Sequence, residues 1–254
     1  MIDVNATRIR TLNQILLHAA RARRIEITGE ILRVSGPGVI SGPFAGMRLP
    51  DASSWGDGDL APKLLGCYEE ELHPAIERAI ARQPARVINV GCAEGYYAIG
   101  LARRLPQAKV FAFDIDAKAQ EVCRAAAAEN GVAERVTVGG LCTPEILRNL
   151  AGEPGRSLIF MDCEGGELTL LDAPTVTKLA ASDVLVECHD FINRQITPTL
   201  LRLMGTNHAV EPVAEGARNP GRFPLLKSLS SLDRWLVMCE FRPEQMSWLA
   251  CWAR

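Results

Sequence analysis

The run from Arg86 to Arg104, R-V-I-N-V-G-C-A-E-G-Y-Y-A-I-G-L-A-R-R, constrains the fold of this chain more than any other stretch. Val87 to Val90 is short, mostly apolar and β-branched, and it runs into Gly91. Gly95 then opens a segment in which Ala98, Leu101, Ala102 and Leu105 recur at helical spacing. The pattern reads as strand, glycine turn and helix. It leaves backbone N–H groups free at a helix N-terminus, where glycines let a ligand approach the main chain closely.

Charge and spacing narrow the ligand. Gly91 and Gly95 give G-x-x-x-G without the three glycines of a dinucleotide fingerprint, and the loop carries Glu94. A carboxylate there opposes a pyrophosphate but tolerates S-adenosylmethionine (SAM), which has a sulfonium and an ammonium and no phosphate. About 20 residues beyond the glycine turn, the run Val110 to Phe113 ends in Asp114, an acid placed to accept from ribose hydroxyls, with Ile115 beside it. Together these features favour SAM.

N-V-G-C-A-E-G-Y-Y-A at Asn89 to Ala98, F-D-I-D at Phe113 to Asp116 and M-D-C-E-G-G-E at Met161 to Glu167 resemble the class I SAM-dependent methyltransferases, and more narrowly the FkbM-like family. The resemblance covers Leu65 to Val213. It implies a Rossmann-like α/β fold, a mostly parallel seven-stranded sheet with helices on both faces. It also implies a cofactor pocket reached by the pair Tyr68-Glu69. The family usually has an acid two residues before the first glycine, where this chain has Asn89; Glu94 or Glu69 is then the candidate to hold the methionine ammonium. Glu69 to Glu71 can equally cap the helix that Leu72, Ile76, Ala79 and Ile80 predict, through its dipole.

A chain of 254 residues with 48% hydrophobic content can bury a sizeable core, and its near-neutral charge gives no case for a nucleic-acid partner. The eight cysteines are scattered without a C-x-x-C pair, which reads as reduced thiols. No apolar run reaches spanning length and no signal region stands at the N-terminus, so a cytoplasmic enzyme with a small-molecule acceptor is expected. Oligomeric state is left open.

Two units are expected: a small α+β cap over residues 1–60 and the methyltransferase domain over 61–254. In the cap, Ile9, Leu12, Leu16 and Ala19 form a helical stripe, with Arg8, Arg10, Arg21, Arg23 and Arg24 outside it as a solvated face. Ile25 to Thr28 and Ile31 to Val34 flank Gly29-Glu30 as a hairpin would. Val39-Ile40 and Phe44 to Leu49 suggest short strands, and Pro50 to Gly58 a loop.

Beyond the glycine turn, Asp116 and Thr143 are placed as helix N-caps, and Gly139 to Cys142 follow a third strand, with Leu141 exposed to an adenine. Leu158 to Met161 and Val184 to Val186 are fully apolar strands ending at Asp162 and at Glu187 to Asp190. Later segments read as a helix from Ile196, a strand from His208, a helix from Ser230 and a closing strand to Trp252. Trp235, Phe241, Trp248 and Trp252 are read there as core.

Ligands of parallel sheets bind beyond the carboxyl ends of the strands. In the order 3-2-1-4-5 that the resemblance implies, Asp114, Gly91, Asp162 and His189 stand on consecutive strand ends spanning about 15 Å, close to an extended SAM plus an acceptor group. His189 is the first candidate for general base, and Asp162 the second or the group that orients it; both also have plain structural readings, as a wall residue and a turn cap. Asp162, Glu187, His189 and Asp190 are a candidate divalent-metal set, but strand alternation separates Glu187 and His189 from Asp190, and a metal-free site is favoured. The expected reaction is in-line methyl transfer to a hydroxyl of a sugar or secondary-metabolite-like molecule. The rivals are a SAM-binding module without catalysis and a nicotinamide-dependent oxidoreductase, the latter disfavoured by the glycine spacing and Glu94.

Overall fold

The computed structural model describes residues 4–50 and 59–254, and the expected loop at 51–58 lies outside them. Helix α1 (Val4–Ser35) continues through the segment expected as a hairpin. The stripe that decides this is Arg24, Ile27, Thr28 and Ile31, all buried and spaced as one helical face. Against that burial, Gly29 in mid-helix costs only about 1 kcal/mol. The expected docking stripe is displaced: Leu12 and Leu16 are exposed, the side chain of Ile9 is outside the described residues, and Arg24 is buried instead of solvated. The two short strands of the cap reduce to one isolated bridge between Gly38 and Arg48. Between them the chain folds back, and the Phe44 ring lies so close to Gly100 that an added Cβ there would meet it at 2.5 Å.

The remaining helices are α2 (Leu60–Leu65), α3 (His73–Ala81), α4 (Tyr96–Arg104), α5 (Ala117–Glu129), α6 (Pro144–Ala151), α7 (Glu167–Leu170), α8 (Ala173–Lys178), α9 (Ile196–Met204) and α10 (Ser231–Leu236). Asp116 and Thr143 cap α5 and α6 as expected, each accepting a backbone N–H. The strands are β1 (Arg86–Val90), β2 (Lys109–Phe113), β3 (Val136–Gly139), β4 (Ser157–Met161), β5 (Asp183–Cys188), β6 (His208–Ala214) and β7 (Ser247–Ala253).

These form one seven-stranded sheet in the order β3-β2-β1-β4-β5-β7-β6. The first five are parallel, and β7 enters antiparallel between β5 and β6. Strands β1, β4 and β5 are buried on both faces, which explains their mostly apolar sequences. One core layer joins Ile27, Phe44, Leu64, Ile99 and Trp248 on one side of the sheet, and another joins Ile88, Ile159, Val184, Leu200 and Leu249 on the other. This is the Rossmann-like α/β methyltransferase fold.

Register sets the chemistry. Val90 pairs with Phe113 on one side and Met161 on the other, and Met161 pairs with Val186. Gly91, Asp114 and Asp162 therefore leave the sheet side by side, level with Glu187 near the end of β5, at the edge where parallel sheets bind ligands.

Candidate active site

Two cavities meet at this edge. The larger, about 550 Å³, is lined by Gly91, Asp114, Ile115, Leu141 and Asp162 among others. Five of the residues expected to hold a cofactor thus share one crevice, which runs from β2 to β4. The smaller, about 220 Å³, is walled by Asp162, Glu164, Glu187, His189, Tyr68 and Arg242 among others. Asp162 and Glu164 line both.

The crevice depends on Gly91. Its φ is 75°, and a Cβ built on it would fall 1.5 Å from the Asp162 carbonyl oxygen, so β1 and β4 can close together only without a side chain there. Asp114 ties the same loop from the other side. Its Oδ2 accepts from the Ala93 N–H at 2.8 Å and its Oδ1 from the Asp116 N–H at 2.9 Å. A carboxylate oxygen has a second lone pair, so each can still take a hydroxyl.

Four expected cofactor residues stand off the crevice wall. Asn89 is buried between β1 and β4, its Nδ2 donating to the Phe160 carbonyl at 3.3 Å and its Oδ1 without a partner. Gly95 is the N-cap of α4, backed by Cys123 and Ile99. Glu94 turns beneath the loop to pair with the buried Lys63 amine. Burial pulls that amine down, but Glu94 and Asp59 outweigh it and its pKa is raised. Glu69 accepts from the Tyr97 hydroxyl and from Arg242 at 2.8 Å. Charge explains Glu94 and Glu69: a buried carboxylate needs a cation or donor at hand, and each has one inside the protein.

At the smaller cavity, the His189 Nδ1 lies 2.5 Å from Glu167 Oε1, and its Nε2 lies 3.4 Å from both Asp162 Oδ1 and Glu164 Oε2. Burial lowers the imidazole pKa, but the Glu167 hydrogen bond and the charges of Asp162, Glu167 and Glu164 prevail and raise it. Burial, then the Glu69 charge, push the Asp162 carboxyl up to about 6. Glu187 is driven well above its ordinary range by burial and by the Asp162 and Glu69 charges, as expected of carboxyls crowded into one buried site.

Arg242 completes the cluster. It donates to Glu187 at 2.5 Å, to Glu69 at 2.8 Å and to Glu240 at 3.0 Å, with its guanidinium 4.9 Å from the Trp248 ring. Burial raises Glu240 to about 7 even though Arg242 and Arg218 lower it. Sequence reasoning missed Arg242, which belongs to no periodic pattern. Glu167 was visible only as an acid of the signature turn.

The expected metal set changes membership. Asp190, in the turn after β5, points away and accepts from the Thr197 N–H and hydroxyl at the start of α9. Asp162, Glu164 and His189 each offer a ligand atom within 4.8 Å of the others, as do Glu69, Asp162 and Glu187. The second set already faces the Arg242 cation.

Residues 87–149 match the family model described as a methyltransferase domain. No curated protein sequence matches the chain. Among solved structures, the O-methyltransferase TomG of Streptomyces achromogenes, determined with SAM, is 16% identical over 74% of this chain and 81% of its own, with a TM-score of 0.49. The cofactor-bound Rv0187 of MTB is 19% identical over 73% and 80%, with a TM-score of 0.47. The precorrin 8w decarboxylase of Methanobacterium thermoautotrophicum is 16% identical over 70% and 88%, also at 0.47. Strand order gives the Rossmann-like α/β methyltransferase fold, and within it residues 87–149, from β1 into α6, match a methyltransferase domain.

Proposed function

We propose that the protein is a SAM-dependent methyltransferase that methylates a hydroxyl of a sugar or secondary-metabolite-like small molecule. The observation that carries this reading is that Asp162 lines both cavities, so a ligand in the crevice and one in the acidic pocket meet at its carboxyl. Asp114 would hold the ribose, Ile115 and Leu141 the adenine, and the loop at Gly91 the amino-acid end. The cofactor supplies an electrophilic methyl on its sulfonium.

The chain supplies alignment, which accounts for most of the rate in such a displacement, and a place for the hydroxyl proton. His189, whose pKa is raised by the Glu167 hydrogen bond and the carboxylates around it, holds a second proton more firmly than a free imidazole. Asp162, whose carboxyl is pushed up to about 6, is the better placed group to take the acceptor's proton. In this reading Asp162 accepts the acceptor's proton, and His189, held by Glu167, orients the carboxylate and balances its charge. Residues 1–60 act as a cap, supported by the seating of Phe44 on Gly100. The unpaired state of all eight cysteines suits a reducing compartment such as the cytoplasm, and no helix among the described residues is long and apolar enough to cross a membrane.

Calorimetric titration with SAM, S-adenosylhomocysteine and NAD tests the cofactor, and S-adenosylhomocysteine release across a panel of hydroxylated acceptors tests the reaction. Binding of NAD alone overturns the reading. SAM binding with no release on any acceptor favours a binding module.

A further inference from the structure

The acidic pocket does not end the path away from the crevice. At about 220 Å³ it is smaller than the roughly 300–1,000 Å³ of typical ligand sites, enough for one ring-sized group. On its far side the segment Glu240 to Pro243 also borders a third cavity, an open groove of about 1,110 Å³ between α1 and α10. The character of the wall changes at this junction. The pocket is lined by Asp59, Asp162, Glu164 and Glu187, with Glu240 shared at the junction, whereas the groove sets Leu17, Leu232, Trp235, Leu236 and Met238 along one wall and has Glu215, Arg218 and Glu244 among its other lining residues.

Two further observations mark the groove as built to be covered. Leu232 is 74% exposed and Trp235 53% exposed on a helix of six residues, a concentration of apolar surface left uncovered among the described residues. Phe241, at the junction, holds φ at 50°, a conformation a non-glycine residue adopts at a cost, and it is braced by the Arg24 guanidinium 4.4 Å from its ring.

Resting on the methyltransferase reading above, we propose that the acceptor is amphipathic: a hydroxylated head fills the acidic pocket and an apolar body passes Phe241 to lie against Leu232 and Trp235. Carboxylates accept from the head's hydroxyls and place one of them beside Asp162. The apolar body contributes binding energy remote from the reacting oxygen, which holds the head in register for the methyl group. Trp235 and Leu232 are thus specificity residues for the acceptor and have no part in cofactor binding.

The test uses the full-length protein and two probes with the same head, methyl β-D-glucoside and octyl β-D-glucoside below its micelle concentration. Affinities are measured by calorimetry with S-adenosylhomocysteine present and absent. The octyl compound is expected to bind at least about tenfold tighter, since several methylenes leave water. The double variant Leu232→Ala/Trp235→Ala is expected to erase that preference and to leave S-adenosylhomocysteine affinity unchanged. Both positions are exposed, so the variant folds, and circular dichroism verifies it. Equal binding of the two probes, no binding of either, or a preference that survives the double variant overturns the proposal. A concentration-dependent dimer abolished by the same variant also overturns it, because a second copy would then cover the groove. Failure of S-adenosylhomocysteine to bind strikes the methyltransferase reading instead and leaves the glucoside comparison readable.

Discussion

Glu167 grips the Nδ1 edge of His189 at 2.5 Å and so turns Nε2 toward Asp162, 3.4 Å away. The buried glutamate decides which nitrogen faces the pocket and how readily the ring holds its second proton. Glu167→Gln weakens that hold. The imidazole pKa, followed by NMR of the ring protons, is expected to fall in the variant while SAM affinity stays within a few fold. His189→Ala is expected to lower turnover by about 10- to 100-fold, less than loss of the base itself. Unchanged turnover in His189→Ala would remove the ring from the mechanism.

If Asp162 takes the acceptor proton, turnover rises with pH through about 6, the value to which burial and Glu69 push its carboxyl. The apparent value belongs to the Asp162–Glu187 pair. Asp162→Asn keeps the shape, removes the rise and slows turnover by about 100- to 10,000-fold. A profile of the wild type that is flat from pH 5 to 8 contradicts the assignment.

Arg242 stands between Glu69 and Glu187 as their shared cation. Arg242→Met leaves buried carboxylates facing each other, and loss of about 3–5 kcal/mol is expected in denaturant unfolding. The pH dependence has a defined sign. Asp162, Glu187, Glu240 and His189 all have folded-state pKa values above those of the unfolded chain, so the folded state binds the extra protons. The stability these carboxyls contribute is therefore fully present below about pH 4, falls as pH rises through their folded-state values of about 6 and 7, and is lost above them. Glu187→Gln is expected to flatten that slope, as read from thermal midpoints at successive pH values.

Gly91→Ala places a methyl on the Asp162 carbonyl and is expected to abolish SAM binding together with a loss of stability. Asp114→Asn separates loop-holding from ribose-holding. Its amide oxygen can still accept from one backbone N–H, so the fold survives, and SAM affinity is expected to drop by about tenfold or more. Calorimetry on the two variants measures both effects.

Because Arg242 already supplies positive charge to Glu69 and Glu187, turnover is expected to be unaffected by a chelator. Dialysis against EDTA followed by addition of Mg²⁺ or Mn²⁺ checks this. Activity that falls and is restored by the metal would assign Asp162, Glu164 and His189 as its ligands.

The alternation of apolar strands and helices made the sheet legible, since burial on both faces leaves the runs Leu158 to Met161 and Val184 to Val186 without a polar residue. Gly91, Asp114 and Asp162 were legible because each directly follows an apolar run that ends a strand. The cap was not. Ile25 to Val34 satisfies a hairpin pattern and a helical one, and only the burial of Arg24, Ile27 and Ile31 against the body of the protein chooses between them. The aromatics of the C-terminal stretch divide likewise: Trp248 and Trp252 on β7 are core as read, whereas Trp235 on α10 faces outward. Arg242 was invisible because its partners lie 173 and 55 residues away and nothing local announces them.

Strand β7 is slotted between β5 and β6 instead of being laid on the outside. Because β6 joins the sheet through β7 and β7 is its link to β5, loss of that one strand detaches β6 while leaving intact the parallel order β3-β2-β1-β4-β5 whose carboxyl ends frame the crevice. The last strand thus carries the integrity of one flank of the sheet and leaves the ligand edge to the other.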